Sequence, residues 1–222
     1  ISSYMQITVP PDDDLEVRRV RLTNHSRHRR RLALISYGEV VLGDQNGDRR
    51  HPAFSKLFIE SEYLPASHTL LFRRRPRAAT EQPRYLAHTI VIEPDQSLRV
   101  DCESDRALFL GRGGTPRQPA ALRLDGGLSG STGAVLDPIM CLRVYLEIEA
   151  HDTREVAFLT LAGASRQQLL SLAARYKTPG QIESAFRRAL AQSELELRQL
   201  NLSSAELERF QQLFSLLTYP HA

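Results

Sequence analysis

Hydrophobic periodicity changes once along this chain, near Gly163, and that change limits the folds open to it. Before it, apolar residues recur at every second position. Met140, Leu142, Val144, Leu146 and Ile148 alternate with Arg143, Tyr145, Glu147 and Glu149, the pattern of a half-buried strand. Further strand patterns cover Ser3–Val9, Leu15–Thr23, Leu32–Leu42, Phe58–Leu64, Thr69–Arg75, Tyr85–Glu93, Ser97–Cys102 and Glu155–Leu161. Turn residues separate them: Pro10-Pro11-Asp12, Asn24-His25-Ser26 (read as a hairpin), Asp95-Gln96 and His151-Asp152. Leu15–Thr23 shifts phase at Arg18-Arg19, which predicts a bulge or strong twist. Leu32–Leu42 is apolar in both phases, as in a strand covered on both sides. So many strands at hairpin spacing, with no helical pattern between them, predict a mainly β fold, a large antiparallel β-sandwich.

After Gly163 the period is helical. Ser165 is placed as an N-cap, with Leu169, Leu170 and Ala173 on one face and an end near Tyr176. Thr178-Pro179 predicts a cap followed by proline at the first helical position. The second helix should run to about Gln199, with Ile182, Phe186, Ala189, Leu190 and Leu197 on its stripe. Ser203 and Glu206 form a capping-box pattern opening a third helix through Phe210, Leu213, Phe214 and Leu217, which stops before Pro220. The division is a sandwich over 1–163 and a helical segment over 164–222.

Composition narrows the function classes. Of 29 basic residues only Lys56 and Lys177 are lysine, and the net charge is +3. The basic stretches Arg18–Arg31 and Arg73–Arg77 lack stacking aromatics or a reading helix, so nucleic acid is not expected as a partner. Cys102 and Cys141 are far apart in sequence, with no metal-site spacing, and are expected as reduced thiols. No apolar run reaches membrane-span length, and a chain opening at Ile1 reads as a piece of a longer protein.

Few residues form catalytic constellations. Glu60 and Glu62 share one face of a strand, as an acid–base pair could, and read more simply as a solvated face. His25 and His28 lack a third metal ligand, and no metal is expected. His88 is in phase with Leu86, Ile90 and Ile92 and is placed in the core with its hydrogen bonds satisfied. Ser129 lacks the second glycine of a nucleophile elbow. Gly111, Gly113 and Gly114 do not form a dinucleotide fingerprint, and no phosphate-binding loop is present.

One segment, Gly111–Leu136, fits neither period and holds seven of the twelve glycines. Loops of that length inside a domain are usually functional or disordered. Arg112, between Gly111 and Gly113 at its mouth, is either one more surface arginine or a multidentate donor to hydroxyls or phosphate, with the glycines admitting a ligand to the backbone.

The motifs RLTNHS (Arg21–Ser26), SYGEVVL (Ser36–Leu42), HPAFSKLFIESEY (His51–Tyr63), RRRPR (Arg73–Arg77), FLGRGGT (Phe109–Thr115), LSGSTGAVLDPI (Leu128–Ile139) and VAFLTLAGASRQQLLSLAARY (Val156–Tyr176) occur in that order, before a tail ending LLTYP. The set resembles the phosphorylase region of bacterial cyclic β-1,2-glucan synthases, related to cellobiose and chitobiose phosphorylases. That resemblance implies a galactose-mutarotase-like supersandwich and a helical linker leading to an (α/α)₆ barrel that bears the catalytic aspartate. The barrel is absent here, so the piece is expected to be inactive alone and to support the barrel and shape its sugar site.

The implied parent is a glycosyltransferase and inverting glycoside phosphorylase. It would be a larger membrane protein with this part on the cytoplasmic side of the bacterial inner membrane. It needs no cofactor, and inorganic phosphate is its co-substrate. The implied partners are a β-glucan oligosaccharide, the barrel and a second copy in a homodimer. Arg112, with Gly111 and Gly113, stands near the place of a sugar-contacting arginine, although Gly114 replaces a larger residue of many relatives. The alternatives are a free-standing carbohydrate-binding sandwich, which has little use for three terminal amphipathic helices, and a complete enzyme using Glu60 and Glu62.

Overall fold

The computed structural model describes residues 1–78, 81–92, 99–123 and 127–218. Among these, eleven strands form in chain order: β1 (Ser2–Thr8), β2 (Leu15–Thr23), β3 (Arg30–Ile35), β4 (Gly38–Glu39), β5 (Ile59–Leu64), β6 (Thr69–Arg74), β7 (Arg84–Ile92), β8 (Val100–Asp105), β9 (Gly133–Ala134), β10 (Pro138–Ile148) and β11 (Thr153–Gly163). Six α-helices join them among the described residues: α1 (Gln45–Arg50), α2 (Pro52–Lys56), α3 (Arg106–Leu110), α4 (Arg166–Tyr176), α5 (Gln181–Gln199) and α6 (Ser204–Thr218). The larger sheet has seven strands in the order β1-β2-β11-β7-β6-β5-β9. The smaller is centred on β10, which pairs with β3, β4 and β8. All these pairings are antiparallel, and the result is an open β-sandwich.

Three apolar clusters hold it together. Between the sheets, Leu70, Phe72, Ile90 and Phe158 face Leu142, Val144, Leu146 and Ile148. On the outer face of the larger sheet, Leu15, Val17, Ala87, Leu159 and Leu161 pack under Leu169, Ala173 and Tyr176 of α4. The third lies around Phe109, at one end of the sandwich. Each large apolar side chain contributes roughly 1.5–3 kcal/mol when fully buried. β11 is covered on both faces, so Val156 and Phe158 enter the first cluster while Ala157, Leu159 and Leu161 enter the second.

The same double cover corrects the expected bulge in β2, which pairs in unbroken register with β1 and β11. Its phase shifts because Leu15 and Val17 face the helices while Val20 and Leu22 face the other sheet. The expected hairpin at Asn24 is a crossing between sheets, as is the turn at His151-Asp152. The two are tied by Asn24 N–H donating to the Asp152 carbonyl at 2.9 Å. Asn24 is fully buried, and its amide donates to the carbonyls of His28, Ile148 and Glu149.

Leu32–Leu42 is not one doubly covered strand. β3 and β4 share one register against β10 but break at Ser36, whose hydroxyl accepts from Leu142 N–H at 3.1 Å. α1, α2 and α3 escape the sequence pattern because five or six residues are too few to show a helical period. β8 begins at Val100; the expected start at Ser97, the Asp95-Gln96 turn, Glu93 and the Pro220 stop lie outside the described residues.

The Ser165 cap forms, accepting from Gln168 N–H at 3.2 Å, as does the Ser203–Glu206 box. Thr178-Pro179 does not cap α5. It belongs to a turn closed by Gln181 N–H to the Thr178 carbonyl, with Gly180 at φ 80° as the N-cap. Only the start of α5 is covered, by Ala185 with Ile182 and Phe186. α6 buries nothing among the described residues: Leu213 is 55 %, Phe214 67 % and Leu217 86 % exposed.

His88 lies in the inter-sheet core, as its phase predicts. It hydrogen-bonds Thr160 (3.1 Å) and Ser36 (2.8 Å) and stacks on Phe158. Burial, with a lesser effect of Arg18, holds its pKa down to about 4. An unfolded histidine titrates near 6.5, so between those values the unfolded chain binds the extra proton. The neutral His88 is therefore fully compatible with the fold above pH 6.5, and stability falls as pH drops from there towards 4. This group should account for at most about 3 kcal/mol of that loss. Unfolding free energies measured from pH 7 to 4 should fall less steeply in His88→Gln; identical slopes would contradict the assignment.

Candidate functional site

The described residues of the glycine-rich segment pack at a small core at one end of the sandwich. Asp105 caps α3, its carboxylate accepting from Ala107 N–H at 2.8 Å. Phe109 then packs with Ala121, Ile139 and Cys141, and its ring lies 4.9 Å from that of Tyr37. α3 ends in a tight turn, Gly114 N–H donating to the Gly111 carbonyl at 3.1 Å. Gly113 occupies the third position at φ 73°, the left-handed conformation that such a turn requires. A Cβ on Gly114 would lie 1.9 Å from the Leu110 carbonyl oxygen, so a larger residue does not fit this turn. A Cβ on Gly111 would lie 2.6 Å from that of Ala120, whereas Gly113 faces open space. Close backbone approach is therefore possible at Gly113 and not at Gly111. Arg112 stands at the second position, exposed, and its guanidinium makes no hydrogen bond or ion pair among the described residues.

Behind this turn, the segment from Leu128 to Ala134 forms a strap between the sheets. Ser129 to Ser131 bond to β8: Gly130 N–H donates to the Cys102 carbonyl, and Ser104 N–H to that of Ser131. β9 then pairs with β5 of the larger sheet. The strap is fixed by Glu103, 1 % exposed, whose carboxylate accepts from the backbone N–H of Ser104 (3.0 Å), Asp105 (2.9 Å) and Ser129 (3.1 Å) and from the Ser129 hydroxyl (2.5 Å). Ser129 is thus tied to a buried carboxylate as part of the strap's anchor. Sequence reasoning missed Glu103. Its one visible signal is a serine- and glycine-rich strap with only Leu128 to anchor it, which needs a polar anchor underneath.

A charged cluster joins the strap to the turn. Lys56 donates to Asp137 at 2.6 Å, and Arg106 lies 3.4 Å from Asp137 and 3.2 Å from both Glu39 and the Tyr37 hydroxyl. The Tyr37 hydrogen bond, then the nearby acids, push the Arg106 pKa up. The segments Ser36–Leu42, His51–Tyr63, Phe109–Thr115 and Leu128–Ile139 therefore meet at one end of the sandwich, around α3, which leads into the Arg112 turn. Chemically, this end holds a directional cation on a fixed turn.

The other candidates are engaged elsewhere. Glu60 pairs with Arg73 (2.7 Å) and Arg75 (3.0 Å), and Glu62 with Arg166 (3.0 Å), so both are ion-paired members of the sheet's outer face. His25 contacts Ser2 Oγ at 2.7 Å, and no group of three metal-ligating residues occurs among the described residues. Both basic stretches are largely paired within the fold. Arg19 meets Glu183 and lies over Phe186, Arg29 pairs with Glu147, the buried Arg74 donates to the Ser55 carbonyl, and Arg77 lies over Phe54 and Phe58. Cys102 and Cys141 are buried free thiols; burial pushes the Cys102 pKa to about 11 and that of Cys141 higher still. No helix among the described residues is long and apolar enough to cross a membrane.

Comparison with known proteins agrees with this architecture. The family model described as "Glycosyl hydrolase 94, supersandwich domain" matches residues 1–179, through the end of α4. The chain is also 30 % identical over 220 residues to the cyclic beta-(1,2)-glucan synthase NdvB of Rhizobium meliloti (strain 1021). That similarity covers 99 % of this chain and 8 % of the relative, so the chain spans a small part of the relative's length.

Proposed function

Because this chain belongs to the glycosyl hydrolase 94 supersandwich family, we propose that it is the non-catalytic sandwich module of a cyclic β-1,2-glucan synthase or glycoside phosphorylase. The module braces an (α/α)₆ barrel supplied by its parent and shapes the sugar site there. The observation that carries this reading is the 30 % identity to a glucan synthase, which extends beyond the sandwich into the terminal helices. The uncovered apolar side chains of α6 support it, because a face containing Phe214 and Leu217 gains by docking on another domain. In the parent, inorganic phosphate is the co-substrate and the barrel supplies the acid. The parent places the module on the cytoplasmic side of the bacterial inner membrane, and a homodimer would complete the sugar pocket.

Arg112 is the proposed sugar contact, flanked by Gly111 and Gly113. An exposed guanidinium with no partner among the described residues, on a hydrogen-bonded turn, is a donor set ready for sugar hydroxyls. In the parent enzyme, Arg112→Ala should leave the melting temperature unchanged. It should lower kcat/KM for phosphorolysis of a β-1,2-glucooligosaccharide about tenfold to a hundredfold, the equivalent of roughly 1.5–3 kcal/mol. Arg112→Lys should recover part of this, keeping the charge without the planar fork. An unchanged kcat/KM in Arg112→Ala would remove the residue from the site.

A further inference from the structure

The outer face of the larger sheet is only partly covered by helices. α4 lies over Ala87 and Leu71, and beyond its first residue the sheet is open. There the register sets Glu60, Arg73 and Tyr85 side by side across β5, β6 and β7, with Glu62 opposite Leu71 in the next row. Arg166, the first residue of α4, reaches Glu62 and forms a wall. The result is a groove of about 260 Å³ that Arg112 does not line, with the buried Leu71 in its floor.

The chemistry of this groove is selective. Its charges are all engaged, Glu60 with Arg73 and with Arg75 from outside the lining, and Glu62 with Arg166, so the lining itself carries two charges of each sign. An anionic or cationic ligand would have to displace an existing partner. A neutral polyhydroxylated ligand would not, since neighbouring hydroxyls can donate to a carboxylate and accept from its guanidinium at once. The half-buried Tyr85 ring gives an apolar surface for the C–H face of a pyranose, above the buried Leu71. The volume lies just below the range of about 300–1,000 Å³ usual for small-molecule sites, a size for one or two sugar rings.

We infer that this groove is a second, surface binding site for a neutral oligosaccharide, holding a glucan chain away from the sugar site to which Arg112 is assigned. The choice of a glucan rests on the module reading above; the preference for a neutral polyol rests on the groove itself. Such a site would retain a long glucan on the module between encounters with the barrel.

The test is an NMR and calorimetric titration of the 222-residue chain with a linear β-1,2-glucooligosaccharide. The wild-type chain should bind saturably, with amide shifts centred on Glu60, Arg73 and Tyr85. Arg166→Ala, at an exposed position, should weaken binding about tenfold, as expected for one lost charge-assisted hydrogen bond. Tyr85→Leu should weaken it as well, with a melt confirming the fold, and Arg27→Ala, at an exposed position outside the groove, should leave it unchanged. No binding by the wild-type chain, binding that survives both groove variants, or displacement of the sugar by inorganic phosphate would overturn the inference. Binding lost only in Arg112→Ala would overturn the groove and leave the module reading intact, because that reading is tested separately by phosphorolysis in the parent.

Discussion

Replacing Glu103 by alanine should cost the fold about 3–5 kcal/mol, because several hydrogen bonds to one buried carboxylate are lost together. The carboxylate is 1 % exposed and accepts four hydrogen bonds, three of them from backbone N–H groups. A methyl group in its place strands the buried Ser104 N–H away from water, at roughly 1–3 kcal/mol for a donor left unsatisfied, and frees the exposed Ser129 from its anchor. With Ser129 released, the strap from Leu128 to Ala134 should loosen first, and with it the link between the sheets. Urea unfolding followed by circular dichroism would give the global loss. Hydrogen exchange at Ser129 and Gly130 should accelerate more than exchange at Val144, in the core strand β10. A loss below about 1 kcal/mol would mean that the strap is held by its other bonds.

The second large effect is expected at Asn24. Its side-chain amide donates to three carbonyls, from His28, Ile148 and Glu149, and its carbonyl oxygen accepts from the Ser26 N–H and hydroxyl. It thereby locks both sheet-to-sheet crossings at once. Asn24→Ala should lose about 2–4 kcal/mol, since buried carbonyls lose their donor. Asn24→Asp is the sharper test. It keeps the shape but has no N–H to give, so above pH 5 it should be at least as damaging as alanine. A mild effect of Asn24→Asp would show that the donors are dispensable.

How far the sequence foretold this structure depends on the length over which each force acts. β10 is legible from its period-two alternation, and β11 from a short apolar run that follows the His151-Asp152 turn. The Ser165 cap and the Ser203–Glu206 box are local hydrogen-bond patterns and were equally readable. What was not legible is decided by partners distant in sequence. Val17 and Val20 look like a bulge until one sees that a helix covers one and a sheet the other. Asn24 reads as a hairpin because nothing local shows that β2 and β3 join different sheets. At the candidate site, Arg112 stood out through its glycines. Glu103 was invisible because its ligands include the backbone N–H of a strap 26 residues away.

The central claim is that this chain is a supporting module and that catalysis belongs to its parent. Purified residues 1–222 incubated with β-1,2-glucooligosaccharide and inorganic phosphate should release no glucose 1-phosphate, while the parent containing the same residues releases it under the same conditions. Release by the 222-residue chain alone, abolished by Glu60→Gln or Glu62→Gln, would contradict the account and make the chain an enzyme in its own right.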